Sequence, residues 1–91
     1  WDVSALDVTN NSFLNVVVKD DLLCLKQHDI IVFYRGFTKS LDFNVNARFR
    51  NKPVIECLND LIVDRPGLCW TLVTNSRGKK VLTFQYVGFH P

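Results

Sequence analysis

The sequence lacks most of the features on which catalytic, metal-binding and membrane proteins depend. Its four glycines stand alone, so it contains no glycine-rich phosphate loop. Cys24, Cys57 and Cys69 form neither a CxxC pair nor an even set, which argues against a zinc site and against a disulfide framework. The longest apolar runs, such as residues 30–34, are far too short to span a membrane. We expect no cofactor, no metal, no membrane contact and a reducing compartment.

Groups that could perform catalysis are present but scattered. A nucleophile needs a base within hydrogen-bond reach and usually a third group that orients the base. His28 falls in a predicted turn, His90 lies beside the carboxy terminus, and the cysteines fall in apolar segments where packing is their default role. The carboxylates are single or form the turn pair Asp20-Asp21, without the spacing of metal ligands. We expect a non-enzymatic protein; a metal or catalytic site built from the cysteines and histidines is a distant alternative.

Length and net charge limit the number of domains and the classes of function that remain possible. The 91 residues form a single small domain, residues 1–91, near the lower limit for burying a core. The chain begins at Trp1 and contains no methionine, so we expect a segment excised from a longer polyprotein. A net charge of +2 is mild, and a nucleic-acid role therefore requires local clustering of basic residues.

Alternating and β-branched segments predict a protein rich in short strands. The segment at 30–35, IIVFYR, is the most apolar, and we expect it to be the central strand. The first 11 residues fit either a short helix or an extended lead-in. The predicted strands are residues 13–18, 22–25, 30–35, 40–46, 68–74 and 81–87. Because short turns join most of them, we expect antiparallel pairing.

One segment changes to helical periodicity. In residues 53–63, PVIECLNDLIV, the apolar stripe is formed by Val54, Leu58, Leu61 and Ile62. Pro53 suits the first helical position, and residues 64–67, DRPG, end the helix. The stripe must be buried against a sheet. The sequence thus predicts an α+β two-layer sandwich, with an antiparallel sheet of about five to six strands and one or two helices on one face.

Two groups of basic residues are candidates for binding RNA phosphates. One group alternates along RFRNK just before the helix, and the other lies in the last predicted hairpin, around Gly78. The candidates are Arg48, Arg50, Lys52, Arg77, Lys79 and Lys80. An exposed Phe49 or Phe37 beside them would stack a base. The competing interpretation is that these basic residues only solvate loops and that Phe49 belongs to the core.

The order of several segments resembles a known viral family. The segments are LKQHDIIVFY, SLDFNV, PVIECLNDLI, and CWTLVTN followed by VLTFQYVGFHP, and their spacing agrees over residues 22–91. In this pattern the chain is similar to the C-terminal subdomain of the coronavirus SARS-unique domain. That subdomain precedes the second ubiquitin-like fold and the papain-like protease in a multidomain replicase subunit.

The resemblance implies a frataxin-like fold without enzymatic activity. It implies that the domain binds single-stranded RNA, or modulates RNA binding by an adjacent macrodomain, in contact with neighbouring domains of the same polyprotein. It places the domain in the host cytoplasm, on the cytoplasmic side of virus-modified membranes, and we expect a monomer. Frataxins bind iron through an acidic ridge, which the predicted helix lacks, since it carries only Glu56 and Asp60 before Asp64. The alternative is a protein-interaction or spacer module without nucleic-acid contact.

Overall fold

A computed structural model describes residues 1–36 and 41–87 of the chain. Within these residues the chain forms five β-strands and one α-helix. The strands are β1 Asp2–Ser12, β2 Ile30–Tyr34, β3 Asn44–Pro53, β4 Leu68–Thr74 and β5 Lys80–Tyr86, and the helix is α1 Val54–Ile62. Shorter helical turns lie at Asn15–Lys19 and Lys26–His28. Neither α1 nor the shorter helical turns within the described ranges are long and apolar enough to cross a membrane.

The strands β1 and β3 form a long antiparallel ribbon. Their pairing runs from Asp2 opposite Pro53 to Ser12 opposite Asn44, with an irregularity between Val8 and Asn11. The first 11 residues are therefore extended, and β1 buries Val8 on its core side. The ribbon exposes Arg48 and Arg50 on either side of the buried Phe49, as the alternation predicts, but Lys52 is half-buried because Asn51, at a positive φ of 48°, interrupts the alternation.

The other three strands form a mixed sheet in the order β2–β5–β4. The pair β4–β5 is an antiparallel hairpin, but β2 runs parallel to β5. Two expectations were therefore wrong: the strand at residues 30–35 is an edge strand, and the described strands do not form one antiparallel sheet. The physical reason is that β3, α1 and β4 intervene between β2 and β5, so no short turn fixes their relative direction.

Residues 13–18 form a helical turn, not the strand that their β-branched composition predicts. Phe13, Val16 and Val17 are all buried, at the spacing that puts them on one side of a helical turn. The Phe13 ring stacks on Phe43 at 4.9 Å and meets Phe84 edge-on at 5.1 Å. Burial against both sheets thus outweighs the local strand propensity.

The strand predicted at residues 22–25 is also absent from the structure. The Asp21 carboxylate accepts hydrogen bonds from the backbone N–H groups of Leu25 at 2.8 Å and Lys26 at 3.0 Å, and this closes a turn. Leu23 and Leu25 lie in this turn, and both side chains are buried. The strand predicted at 40–46 begins only at Asn44, and Ser40 lies outside the described residues.

The helix and the last hairpin agree with the prediction. Helix α1 buries Val54, Cys57, Leu58 and Leu61, while Ile62 is half-buried. The stop at residues 64–67 is confirmed, although Pro53 precedes the first helical residue rather than occupying it. The Trp70 indole N–H donates to the Asn59 side-chain oxygen at 2.9 Å and ties β4 to the helix. One core contains residues from both sheets and α1, which confirms the α+β class.

Candidate nucleic-acid interface

The row of basic residues on β3 is paired with carboxylates. Arg50 donates to both carboxylate oxygens of Asp7 on β1, at 2.9 and 3.2 Å. The Arg48 side chain lies 3.7 Å from the same carboxylate, because Asp7 is its partner in the β1–β3 register. The Lys52 ammonium pairs with Asp60 on α1. Arg48 and Arg50 therefore share one exposed side and one carboxylate, whereas Lys52 is half-buried and pairs separately, so the three residues are not a row of free cations.

The ion pairs shift the pKa of two of their members toward the charged form. The hydrogen bond from Arg50, together with the charges of Arg50 and Arg48, lowers the pKa of the Asp7 carboxyl. The hydrogen bond to Asp60 raises the pKa of Lys52. An RNA phosphate that binds this row must compete with the two carboxylates, which weakens the expected contact.

One of the two phenylalanines proposed for base stacking is buried. Phe49 is only 2% exposed and belongs to the core, so the expectation that it stacks a base is wrong. The competing interpretation, in which Phe49 fixes the chain before the helix, is confirmed. Phe37 lies outside the described residues.

The turn between β4 and β5 holds the second basic group. The Asn75 side-chain oxygen accepts from the backbone N–H groups of Arg77 at 2.9 Å and Lys79 at 3.0 Å. Gly78 supplies the positive φ of 77° that this turn requires. These bonds fix the backbone while the side chains of Arg77, Lys79 and Lys80 stay exposed. In the part of the chain that the structure describes, none of the three forms an ion pair.

One of the two sheets carries basic residues without any carboxylate. The β2–β5–β4 sheet, its turn and the residues directly after β2 contain Arg35, Arg77, Lys79 and Lys80 but no aspartate or glutamate. All nine carboxylates lie elsewhere in the chain, together with seven basic residues. The mild total charge therefore conceals a strongly cationic sheet. Sequence reasoning missed Arg35, although one signal was available: no acidic residue follows Asp64.

The outer side of the same sheet, here called the open face, is uncharged. Across the sheet, Phe33 is level with Thr83 and Thr71, and Ile31 is level with Val81 and Val73. The neighbouring positions, Leu82 and Phe84, point to the other side and are buried. The open face consists of Ile31, Phe33, Cys69, Thr71, Val73, Val81, Thr83 and Gln85.

The cysteines and histidines are spread over the fold. The His28 ring stacks on Trp1 at 3.6 Å, and its Nδ1 lies 2.9 Å from the Cys24 carbonyl oxygen. Cys57 is fully buried, and burial raises the pKa of its thiol. Among residues 1–36 and 41–87, no three histidine, cysteine, aspartate or glutamate side chains are grouped to hold a metal ion. His90 lies outside these ranges.

Comparisons with family models, with curated proteins and with solved structures find no match to this chain. They therefore identify no family, and they transfer no function to the site. The resemblance to the coronavirus subdomain stays a prediction. The function must be argued from the charges and faces of the two sheets.

Proposed function

We propose that this domain binds single-stranded RNA, with Arg77, Lys79 and Lys80 as its main phosphate contacts. The observation that carries the proposal is the charge distribution: the three-stranded sheet and its turn contain three basic residues, Arg35 directly follows β2, and no acidic residue lies among them. Phosphates bind basic side chains by displacing counterions, and the gain is largest where no carboxylate competes. The exposed turn meets that condition.

Arg48, Arg50 and Lys52 form a second, weaker group of contacts in this proposal. They already interact with Asp7 and Asp60, and an RNA phosphate must replace those partners. Their contribution to RNA affinity is the difference between the free energy of the contact with a phosphate and that of the contact with an exposed carboxylate. In the described structure the cations of the turn between β4 and β5 have no carboxylate partner to give up. We therefore expect them to contribute more to RNA affinity than the cations of β3.

The proposal includes the wider context that the sequence pattern suggests. The domain is a non-enzymatic, frataxin-like part of a coronavirus replicase subunit, and it acts on the cytoplasmic side of virus-modified membranes. There it binds RNA itself or modulates RNA binding by an adjacent macrodomain. The α+β class is compatible with this assignment, whereas the two separate sheets and the parallel β2–β5 pair do not reproduce a single antiparallel sheet.

A protein-interaction module is the second candidate, and one observation favours it. Ile31 and Val73 on the open face are about half exposed, as is Val87 just after β5. Contiguous apolar exposure on a small domain commonly marks a protein interface. In this reading the basic turn only keeps the domain soluble, and RNA affinity is absent.

A fluorescence-anisotropy titration with a short labelled single-stranded RNA, at low and moderate salt, tests the proposal. The variant Arg77→Gln/Lys79→Gln/Lys80→Gln is expected to bind far more weakly, and its salt slope should fall by ~0.7 per lost phosphate contact. The matched control, Arg48→Gln/Arg50→Gln/Lys52→Gln, removes the same charge and should lose less affinity. Wild-type protein that binds no RNA at low salt would leave the interaction module as the better account.

A further inference from the structure

We infer that Phe33 on the open face is a stacking platform for a base of single-stranded nucleic acid. This inference rests on the proposed RNA binding and assigns the part of the site that contacts bases rather than phosphates. An aromatic side chain on an exposed sheet face can stack any base, since every base presents a π face. Phe33 is 60% exposed and is the most exposed aromatic side chain in the described ranges.

The register of the sheet explains why Phe33 cannot reach the core. Val32 and Tyr34 on either side of it are level with the buried Leu82 and Phe84, and all four point inward. Side chains alternate along a strand, so Phe33 must point outward. Among the described strands β2 pairs with β5 alone, and Thr83 is the neighbour of Phe33 on that side. The exposure of the ring therefore follows from the pairing.

Basic residues border the open face at both ends. The Arg35 backbone N–H donates to the Phe84 carbonyl at 2.9 Å, which extends the β2 ladder and puts Arg35 on the same side as Phe33. The Asn75 N–H donates to the Lys79 carbonyl at 2.8 Å, which extends the hairpin and puts Lys79 on the side of Val81. Because β2 and β5 are parallel, the two cations lie at opposite ends, roughly 20 Å apart at the rise of a strand.

Charge favours a nucleic acid over a second copy of the chain as the occupant. A two-fold pairing of open faces would bring two sets of Arg35 and Lys79 together, with no carboxylate on either sheet to pair them. Asp29, just before β2, is the nearest carboxylate in sequence and forms no ion pair with Lys79 or Lys80. A polyanion with planar, apolar base faces complements both the cationic borders and the uncharged centre.

The threonines beside Phe33 are suited to base edges. Thr83 and Thr71 lie level with Phe33 across the sheet, and each hydroxyl can donate and accept a hydrogen bond. On the open face, the two threonines lie between Arg35 at one end and the apolar side chains of Ile31, Val81 and Val73. A base stacked on Phe33 would therefore meet polar groups along the sheet, while its phosphates extend toward the cationic ends.

The test compares a short labelled oligouridylate with an abasic strand of the same length and charge. Stacking contributes ~1–3 kcal/mol per base, so wild-type protein should bind the base-bearing strand about fivefold to 150-fold more tightly. Phe33→Ala and Phe33→Leu should both reduce that preference, while Phe33→Trp should preserve or increase it. Ile31→Ala, on the same strand and face, is the matched control and should retain the preference. Circular dichroism verifies that each variant is folded.

The other outcomes overturn the inference in distinguishable ways. If wild type binds both strands equally and Phe33→Ala has no effect, the RNA proposal stands and the base platform is wrong. If wild type binds neither strand, the RNA proposal itself fails. If analytical ultracentrifugation shows a dimer that Phe33→Ala abolishes, the open face is a self-association surface and the platform assignment is wrong.

Discussion

Arg50 on β3 donates to both oxygens of the Asp7 carboxylate on β1, at 2.9 and 3.2 Å. This pair joins residues that are far apart in the sequence, and it determines which basic residues are available to bind a phosphate. The alternating Arg48, Arg50 and Lys52 are the most regular cationic pattern in the chain, yet each of them has a carboxylate partner. Within residues 1–36 and 41–87, the less regular cations of the β2–β5–β4 sheet and its turn form no ion pair, and they define the proposed interface.

Removing the Asp7 carboxylate should release the arginines of β3 for phosphate binding. We expect Asp7→Asn to raise RNA affinity at low salt, and to steepen the salt slope by ~0.7 for each arginine that then reaches a phosphate. Asp2→Asn is the matched control, because it removes the same charge from the same strand and Asp2 forms no ion pair in the described structure. Equal effects of the two variants in anisotropy titrations would show that only net charge matters.

The Asp7 pair should make stability depend on pH in acid. The folded-state pKa of Asp7 is lowered from an ordinary value of 3.8, so the pair stabilises the fold above that value. The stabilisation is lost as the pH falls through the lowered pKa, because the carboxyl is then protonated in both states. Urea midpoints of wild type and Asp7→Asn should therefore differ at neutral pH and converge below pH 3.8. A difference that persists unchanged into strong acid would contradict this linkage.

Truncation of two phenylalanines should lower the free energy of unfolding by very different amounts. Phe13 is 1% exposed and contacts the rings of Phe43 and Phe84, so Phe13→Ala should lower the free energy of unfolding by ~3–5 kcal/mol. Phe33→Ala removes an exposed ring from an edge strand and should cost no more than ~1 kcal/mol, the span of strand propensities. Urea unfolding followed by tryptophan fluorescence measures both. Similar losses would mean that Phe33 is part of the core.

The three cysteines should differ in their reaction with thiol reagents. Cys57 is fully buried and the pKa of its thiol is raised by burial, so it should react much more slowly than the half-buried Cys24 and Cys69. Iodoacetamide labelling of the folded protein, resolved by peptide mass spectrometry, gives the three rates. Labelling in urea is the control, since all three thiols should then react alike. Fast labelling of Cys57 in the folded state would contradict its position in the core.

Local signals in the sequence were sufficient for α1 and the last hairpin. The apolar residues of 54–62 follow the helical period throughout, and residues 64–67 end the helix independently of distant parts of the chain. The hairpin likewise depends on neighbouring strands and one short turn. Where the partners are local, periodicity and turn chemistry decide the structure.

Elements with distant partners were predicted less well. The apolar run at residues 30–34 is typical of a fully buried strand, and nothing within it shows that Ile31 and Phe33 point to solvent. That follows only from the parallel pairing with β5. The strand predicted at residues 13–18 was wrong for a similar reason. The helical turn is stabilised by contacts of Phe13 with Phe43 and Phe84, which are distant in the sequence and cannot be predicted from the segment itself. Arg35 and Phe33 of the proposed interface were not predicted, because β2 and the last hairpin are brought together only by the fold.

An NMR titration of the isotope-labelled domain with short single-stranded RNA, at two salt concentrations, would show both whether RNA binds and which sheet it contacts. We expect salt-sensitive shifts in the amides of Phe33, Arg35 and Thr83 and in residues 75–80, with smaller changes along β3. Shifts confined to β1 and β3 would place binding on the paired row and contradict the proposed interface. No shifts at all, at high RNA excess and low salt, would contradict RNA binding itself.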